Sequence, residues 1–305
     1  VEALHRPVLL AECLETLAPR EGASLMVDGT LGEGGHSEAF LARYPGLSIV
    51  GVDADSGILA RARERLAPFA GRISFENCLF EEYAERLRGE RGACVDAVLL
   101  DLGISIYHYE ASGRGFSFQR DEELDMRIDP SRGESAAELL ARLPEKELAD
   151  SIYELGGERY SRRIASAVVE ARRKGRIDTA KAFADLVWRA VPPQAREGRL
   201  HPATRSFQAL RIMANDELGR LERGLRAAIG LLKEGGRLGV ISFHSLEDGT
   251  VKRFFKGLAS SDRDSGAASA FSVVTKKPLE ATREEALSNP PSRSAKLRVI
   301  ERRAA

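Results

Sequence analysis

Apolar positions along this 305-residue chain follow two rhythms. Short apolar runs recur at 25–27, 47–52, 73–75 and 95–100, and stretches with a period near 3.6 residues separate them. Val8, Leu9, Cys13, Leu14 and Leu17 predict an N-terminal helix. Phe40, Leu41 and Tyr44 share one face of a helix over 37–44, and Ile58, Ala62 and Leu66 mark another over 57–67. This alternation predicts an α/β unit with a mostly parallel sheet. A fifth strand is expected at 237–242, entered by a hairpin-like turn at Gly235-Gly236. A helix over 251–259 and strands at 271–275 and 297–303 complete this part.

Between the two halves the rhythm changes. Residues 102–133 are polar and weakly periodic, with Gly113 and Gly115 around Arg114. Segments 136–143, 146–155, 162–173 and 180–191 each present an apolar face, and Pro192-Pro193 stops the last. They predict a small all-helical domain. A long helical pattern then runs from 201 to 232. The expected organisation is a sheet domain in two parts, 1–103 and 206–305, around an insertion at 104–205.

Composition narrows the class only a little. The chain is 43% apolar, and its 46 basic side chains balance 46 acidic ones, which leaves a local basic patch open. Arg159, Arg162, Arg163, Arg172, Arg173, Lys174 and Arg176 face only Glu170 within 159–176, a candidate surface for a phosphate backbone or an ordinary charged helix face. Cys13, Cys78 and Cys94 form no CxxC, so a thiolate zinc site and a disulfide scaffold are not expected, and a reducing compartment is. No apolar run is long enough to span a membrane and no signal-peptide pattern opens the chain, so the expected address is the cytoplasm.

The chemistry concentrates at strand ends. Val27 to Ser37 reads VDGTLGEGGHS, with Gly29, Gly32, Gly34 and Gly35 within seven positions between a strand and a helix. Such a loop lets a ligand approach the backbone closely. Asp28, Asp53, Phe80 and Asp101 fall at the carboxyl ends of predicted strands, where open α/β sheets bind ligands. No GxxxxGK[ST] is present, and GxGxxG is half met, since Ser37 takes its last position. The pattern fits S-adenosylmethionine better than a dinucleotide, with the glycines at the amino-acid part, Asp53 at the ribose and Phe80 at the adenine. His244, Glu247 and Asp248 at the exit of the fifth strand offer ligand types for a cation. Substrate positioning is the preferred role for that group, and no metal is expected.

The chain resembles the bacterial ribosomal RNA small-subunit methyltransferase H family. The matching stretches, in order, are HRPVLL at 5–10, DGTLGEGGHS at 28–37, RGFSFQRDEELDMRID at 114–129, GGERYSRRIA at 156–165, HPATRSFQALRI at 201–212, GGRLGVISFHSLED at 235–248 and SRSAKLRVIER at 292–302. The resemblance implies a class I (Rossmann-like) S-adenosylmethionine-dependent methyltransferase domain with an inserted helical domain. It implies methylation of N4 of a cytidine in the decoding region of 16S rRNA, with the small ribosomal subunit as the expected partner. Its cofactor contacts fall on Gly34, Gly35, His36, Asp53, Phe80, Asp101 and His108. Where the family usually reads DLGVSSPQ this chain reads DLGISIYH at 101–108, so Ile106, Tyr107 and His108 stand for Ser, Pro and Gln.

Methyl transfer to an exocyclic amine needs the lone pair turned toward the methyl group and an acceptor for an amine hydrogen. Asp101 is the candidate acceptor, with Ser105 beside it, and cofactor binding alone is its other open role. Arg114, Phe116, Phe118, Arg205, Arg211, His244 and Arg293 are candidates for holding RNA. Arg205, Arg211 and Arg293 each have an internal salt bridge, and each phenylalanine a place in the core, as the alternative. Two other functions remain open: a methyltransferase with a different substrate, and a non-catalytic RNA-binding assembly factor.

Overall fold

The computed structural model describes residues 6–19, 24–197, 200–260 and 269–304. His5, the first residue of the HRPVLL stretch, lies outside them. In chain order the elements begin with α1 (Leu10–Thr16), β1 (Ser24–Asp28), α2 (Gly35–Arg43), β2 (Leu47–Asp53), α3 (Ser56–Arg65), β3 (Ile73–Asn77), α4 (Phe80–Arg91) and β4 (Val95–Asp101). Six helices follow: α5 (Ile106–Glu110), α6 (Ala136–Arg142), α7 (Glu145–Gly156), α8 (Ser161–Arg172), α9 (Ala180–Ala190) and α10 (Ala203–Asn215). The chain then returns through α11 (Glu217–Leu231), β5 (Leu232–Ser242), α12 (Ser245–Ser260), β6 (Phe271–Val273), β7 (Leu279–Glu280), α13 (Arg283–Ser288) and β8 (Lys296–Arg302).

Two compact units result, one of residues 1–104 with 218–305 and one of 105–217. The second boundary falls later than 205 because α10 packs within the helical unit against α6, α7 and α9. The long pattern over 201–232 is broken at Asp216, whose φ of 47° takes the backbone out of α10 before α11 begins.

In the first unit the sheet order is β3-β2-β1-β4-β5-β8-β6, with β7 on β8. Strands β1 to β5 pair in parallel, and β8 runs antiparallel to β5 and β6. Alternate residues of each strand face opposite layers. Met26, Ile49, Ala97, Leu99, Ile241 and Val299 join one core, which takes in Val8, Cys13, Phe40, Leu41 and Leu59. Val27, Val52, Val98, Leu100, Val240 and Ile300 join the other, with Tyr83, Leu225 and Phe255. Burial on both faces explains why the strands read as continuous apolar runs. The order reverses between β1 and β4, which places the ligand crevice at their carboxyl ends.

The hairpin-like entry expected at Gly235-Gly236 is a bulge instead. Val95 pairs with Leu232 and Ala97 already with Arg237, so β5 takes up its extra residues between parallel partners. Gly235 has φ 73°, and a Cβ on Gly236 would lie 2.9 Å from the carbonyl oxygens of Val95 and Lys233. Both glycines are required by that bulge.

In the helical unit, Ser135 and Glu138 form a capping box on α6, and the Thr179 hydroxyl accepts the Ala182 N–H at the start of α9. The apolar faces of α7 to α10 meet through Leu148, Ile152, Ile164, Val168, Phe183, Val187, Phe207 and Leu210. Several of the basic side chains of 159–176 have partners of their own. Arg162 pairs with Asp150, Lys174 with Glu170 and Arg176 with Asp178, while Arg172 donates to the Leu140 and Leu143 carbonyls.

Candidate active site

The loop after β1 is fixed by its own backbone. Gly29 N–H donates to the Leu99 carbonyl and Leu31 N–H to the Val52 carbonyl, tying the loop to both neighbouring strands. A Cβ on Gly29 would sit 2.5 Å from Cδ2 of Phe80 and 2.6 Å from Cδ2 of Leu100, so only glycine fits. Gly34 has φ 81° and caps α2, whose first N–H groups lack helical partners. Helix starts of this kind attract negative or electron-rich ligand groups.

Asp53, at the end of β2, braces the loop from the other side. Its Oδ2 accepts the Gly32 N–H at 2.9 Å and its Oδ1 the Asp55 N–H at 2.9 Å. A carboxylate at the end of the strand next to the glycine loop is the group type that accepts from the hydroxyls of a ribose. Phe80 opens α4, and its ring is buried beneath Gly29.

Asp101 ends β4. Its N–H donates to Oγ1 of Thr30 at 2.6 Å, which locks the strand end to the glycine loop. Its Oδ2 lies 3.6 Å from Nδ1 of His36, and 21% of its side chain is exposed. Oδ1 is buried and has no hydrogen-bond partner among the described residues. Burial, with Asp28 and Glu247 nearby, pushes the Asp101 carboxyl well above the usual carboxylate range. Asp28 is also buried. It accepts the Ser37 hydroxyl at 2.7 Å through Oδ2, while Oδ1 has no partner among the described residues. Burial outweighs the Ser37 bond and raises Asp28 from 3.8 to about 6.

The remaining sequence-predicted residues are more dispersed. Ser105 is the N-cap of α5, and its hydroxyl accepts the Tyr107 N–H at 3.2 Å. A proline at 107 would lack that donor. His108 is buried in the helical unit, with its ring edge-on to Phe116 at 5.2 Å. Arg114 donates to the carbonyls of Arg127 and Ile128 and so holds its own loop together. Phe116 is buried, and Phe118 stacks on His201 at 4.6 Å, which in turn stacks on Trp188 at 5.4 Å. Arg205 donates to the Gly157 carbonyl and remains exposed. Arg211 makes a two-pronged bond to Glu217 at 2.7 and 3.0 Å, the internal salt bridge that was its alternative. Arg293 is exposed and donates to the Ala286 carbonyl. His244 Nε2 lies 3.1 Å from Glu247, whose other oxygen accepts the Phe243 N–H. Asp248 is committed to Arg298 at 2.6 and 3.1 Å.

Sequence reasoning left Thr30 unremarked; it placed Asp28 among the strand-end residues of the ligand site and Glu247 in a group for substrate positioning, but did not show the charge that both bring to Asp101.

The sequence pattern of the MraW methylase family matches residues 2–303. The chain belongs to that family. The ribosomal RNA small subunit methyltransferase H of Treponema denticola is 50% identical to it over 308 residues, covering 98% of each chain. Its counterpart in Treponema pallidum is 44% identical and covers 98% of this chain and 93% of its own length. That of Methylobacterium nodulans is 45% identical, covering 98% and 90%. The family and the sheet order give a class I, Rossmann-like methyltransferase fold with an inserted helical unit. S-adenosylmethionine is the family's cofactor. The residues fit it: a glycine cradle for close approach, Asp53 for hydroxyls, and buried carboxylate oxygens on Asp28 and Asp101 that suit a ligand bearing ammonium and sulfonium charge.

Proposed function

We propose that this chain transfers a methyl group from S-adenosylmethionine to the N4 amine of a cytidine in the decoding region of 16S rRNA. The observation that carries the reading is Asp101: a carboxylate at the switch point of the sheet with a buried oxygen that has no partner among the described residues. When bound, the cofactor supplies a methyl group on a positively charged sulfur. The chain supplies position and an acceptor. The Asp101 carboxylate accepts an N4 hydrogen, so charge that builds on nitrogen during attack is drawn off as the N–C bond forms. The proton passes to Asp101, and the electron pair of the broken C–S bond stays on sulfur. A carboxyl held above its usual range is a stronger base for this purpose than an exposed aspartate.

The same reading assigns the cofactor contacts. Gly34 shapes the loop, its own N–H bonded to the Leu31 carbonyl, Gly35 and His36 offer main-chain N–H groups at the start of α2, Asp53 accepts from the ribose, and Phe80 borders the adenine. Ser105 serves by holding the start of α5. The exposed Arg205 and Arg293, with Phe118 and His244, are assigned to RNA. The partner is the small ribosomal subunit and the setting the bacterial cytoplasm. No described helix is long and apolar enough to cross a membrane.

The test is mass spectrometry of nucleosides after incubating the protein and cofactor with undermethylated small subunits. N4-methylcytidine at one site is expected. Methyl transfer to another nucleoside or to protein, or none despite cofactor binding, overturns the reading. Asp101→Asn separates the two roles of that residue: retained cofactor affinity with collapsed turnover supports proton acceptance, and lost affinity assigns it to cofactor binding.

A further inference from the structure

His36 is buried, and both nitrogens of its ring are directed at named groups. Nε2 lies 2.9 Å from the Val8 carbonyl oxygen. A carbonyl only accepts, so Nε2 carries a hydrogen. In the neutral ring Nδ1 is then a lone pair, and it faces Oδ2 of Asp101 at 3.6 Å. An ionised carboxylate and an unprotonated nitrogen repel across such a gap, and a single proton on Nδ1 turns the contact into an ion pair.

Asp28 and Glu247 raise the negative potential at Asp101, and Cys13 in α1 has its thiol pushed up by burial first and then by the same carboxylate. Arg65 from α3 lies beside Gly35 and is paired with Glu38. His36 is thus the group placed to bring positive charge to the carboxylate from α2.

We propose that His36 is a positioning residue for Asp101. Held by Val8 at Nε2, it carries a proton on Nδ1 and keeps the Asp101 carboxylate ionised and oriented toward the amine. The pair holds one proton before methyl transfer. It holds two afterwards, when Asp101 has taken the N4 hydrogen, until the product leaves. This rests on the proposed transfer to a cytidine amine.

Two substitutions separate positioning from simple packing. In His36→Gln the longer amide reaches the Val8 carbonyl but offers nothing to Asp101. In His36→Asn the shorter amide reaches toward Asp101 and gives up Val8. The proposal expects H36Q to lose about 100-fold in turnover, with the acid limb of the pH–rate profile moved to higher pH and cofactor affinity within about threefold. H36N loses about tenfold less. Nitrogen-15 spectra of labelled histidine in the free protein give a second readout. Nε2 stays protonated, Nδ1 gains its proton above the ordinary histidine value of about 6.5, and Asp101→Asn lowers that midpoint by about a unit or more. If H36N is the worse enzyme, or if Nδ1 protonates below the ordinary value and ignores Asp101→Asn, the proposal is overturned. If the wild type leaves the cytidine unmodified, the functional reading fails while the spectra still decide the His36–Asp101 pair.

Discussion

Replacing Asp28 with Asn tests the electrostatics of the site without touching its shape. Asp28 is 2% exposed and its carboxyl is raised from 3.8 to about 6. Between those two pH values the folded protein holds a proton there that the unfolded chain has released. Stability from this group is therefore complete below about 3.8 and falls as pH rises through about 6. At about 1.4 kcal/mol per pH unit, the gap amounts to about 3 kcal/mol. Asn cannot ionise, and its carbonyl oxygen still accepts the Ser37 hydroxyl. The stability of the variant minus that of the wild type should climb by about 3 kcal/mol between pH 3.5 and pH 7, as measured by urea unfolding across that range. A difference curve that is flat, or that falls with pH, would refute the reasoning. Binding supplies a cross-check. A cationic cofactor favours ionised Asp28, so wild-type affinity for S-adenosylmethionine should tighten as pH rises through 6, while affinity of the variant changes much less.

Three other outcomes are expected. Gly29→Ala puts a methyl group 2.5 Å from Phe80 and 2.6 Å from Leu100; it should cost about 1–3 kcal/mol in unfolding experiments and weaken cofactor binding in calorimetry, because Phe80 must move. Arg298→Ala strands Asp248 against the sheet and should cost about 3 kcal/mol, whereas Asp248→Asn with Arg298 intact costs less. Trp188 is the only tryptophan and stacks on His201, whose imidazole is held below its usual range by burial. Its fluorescence should therefore be quenched on acidification with a midpoint below 6.5, and His201→Phe should abolish the transition.

The strands were legible because the sheet is covered on both faces, which leaves near-continuous apolar runs at 47–52 and 95–100 that end in aspartate. The bulge at Gly235-Gly236 was not, because two glycines read alike whether the next strand returns beside its predecessor or runs parallel to another. The break at Asp216 depends on a single positive φ that helical periodicity does not record. In the site, the glycine loop and the acids at strand ends could be seen from their spacing. The role of Arg114 could not, since its carbonyl partners come together only when the helical unit folds, and the salt bridge of Arg211 was legible only as one of two alternatives. The same holds for the tautomer of His36, which is set by a carbonyl 28 residues away.

The pairing of β4 with β5 has a consequence for synthesis. About 130 residues separate Asp101 from Leu232, yet their strands are neighbours in the sheet. At equilibrium this costs little, because closing a loop becomes harder by only about 0.6 kcal/mol with each doubling of its length. During translation the cost is waiting time. At about 5–20 residues per second, β4 spends roughly ten seconds with one edge unpaired before β5 leaves the ribosome. That edge is Val98-Leu99-Leu100, a sequence suited to pairing with another chain. Helices α6 to α10 emerge in the interval, and each contact they make among themselves shortens the free chain that β5 must draw back. Chains released before residue 232 should therefore aggregate through β4, and codon choice across the insertion becomes a determinant of yield.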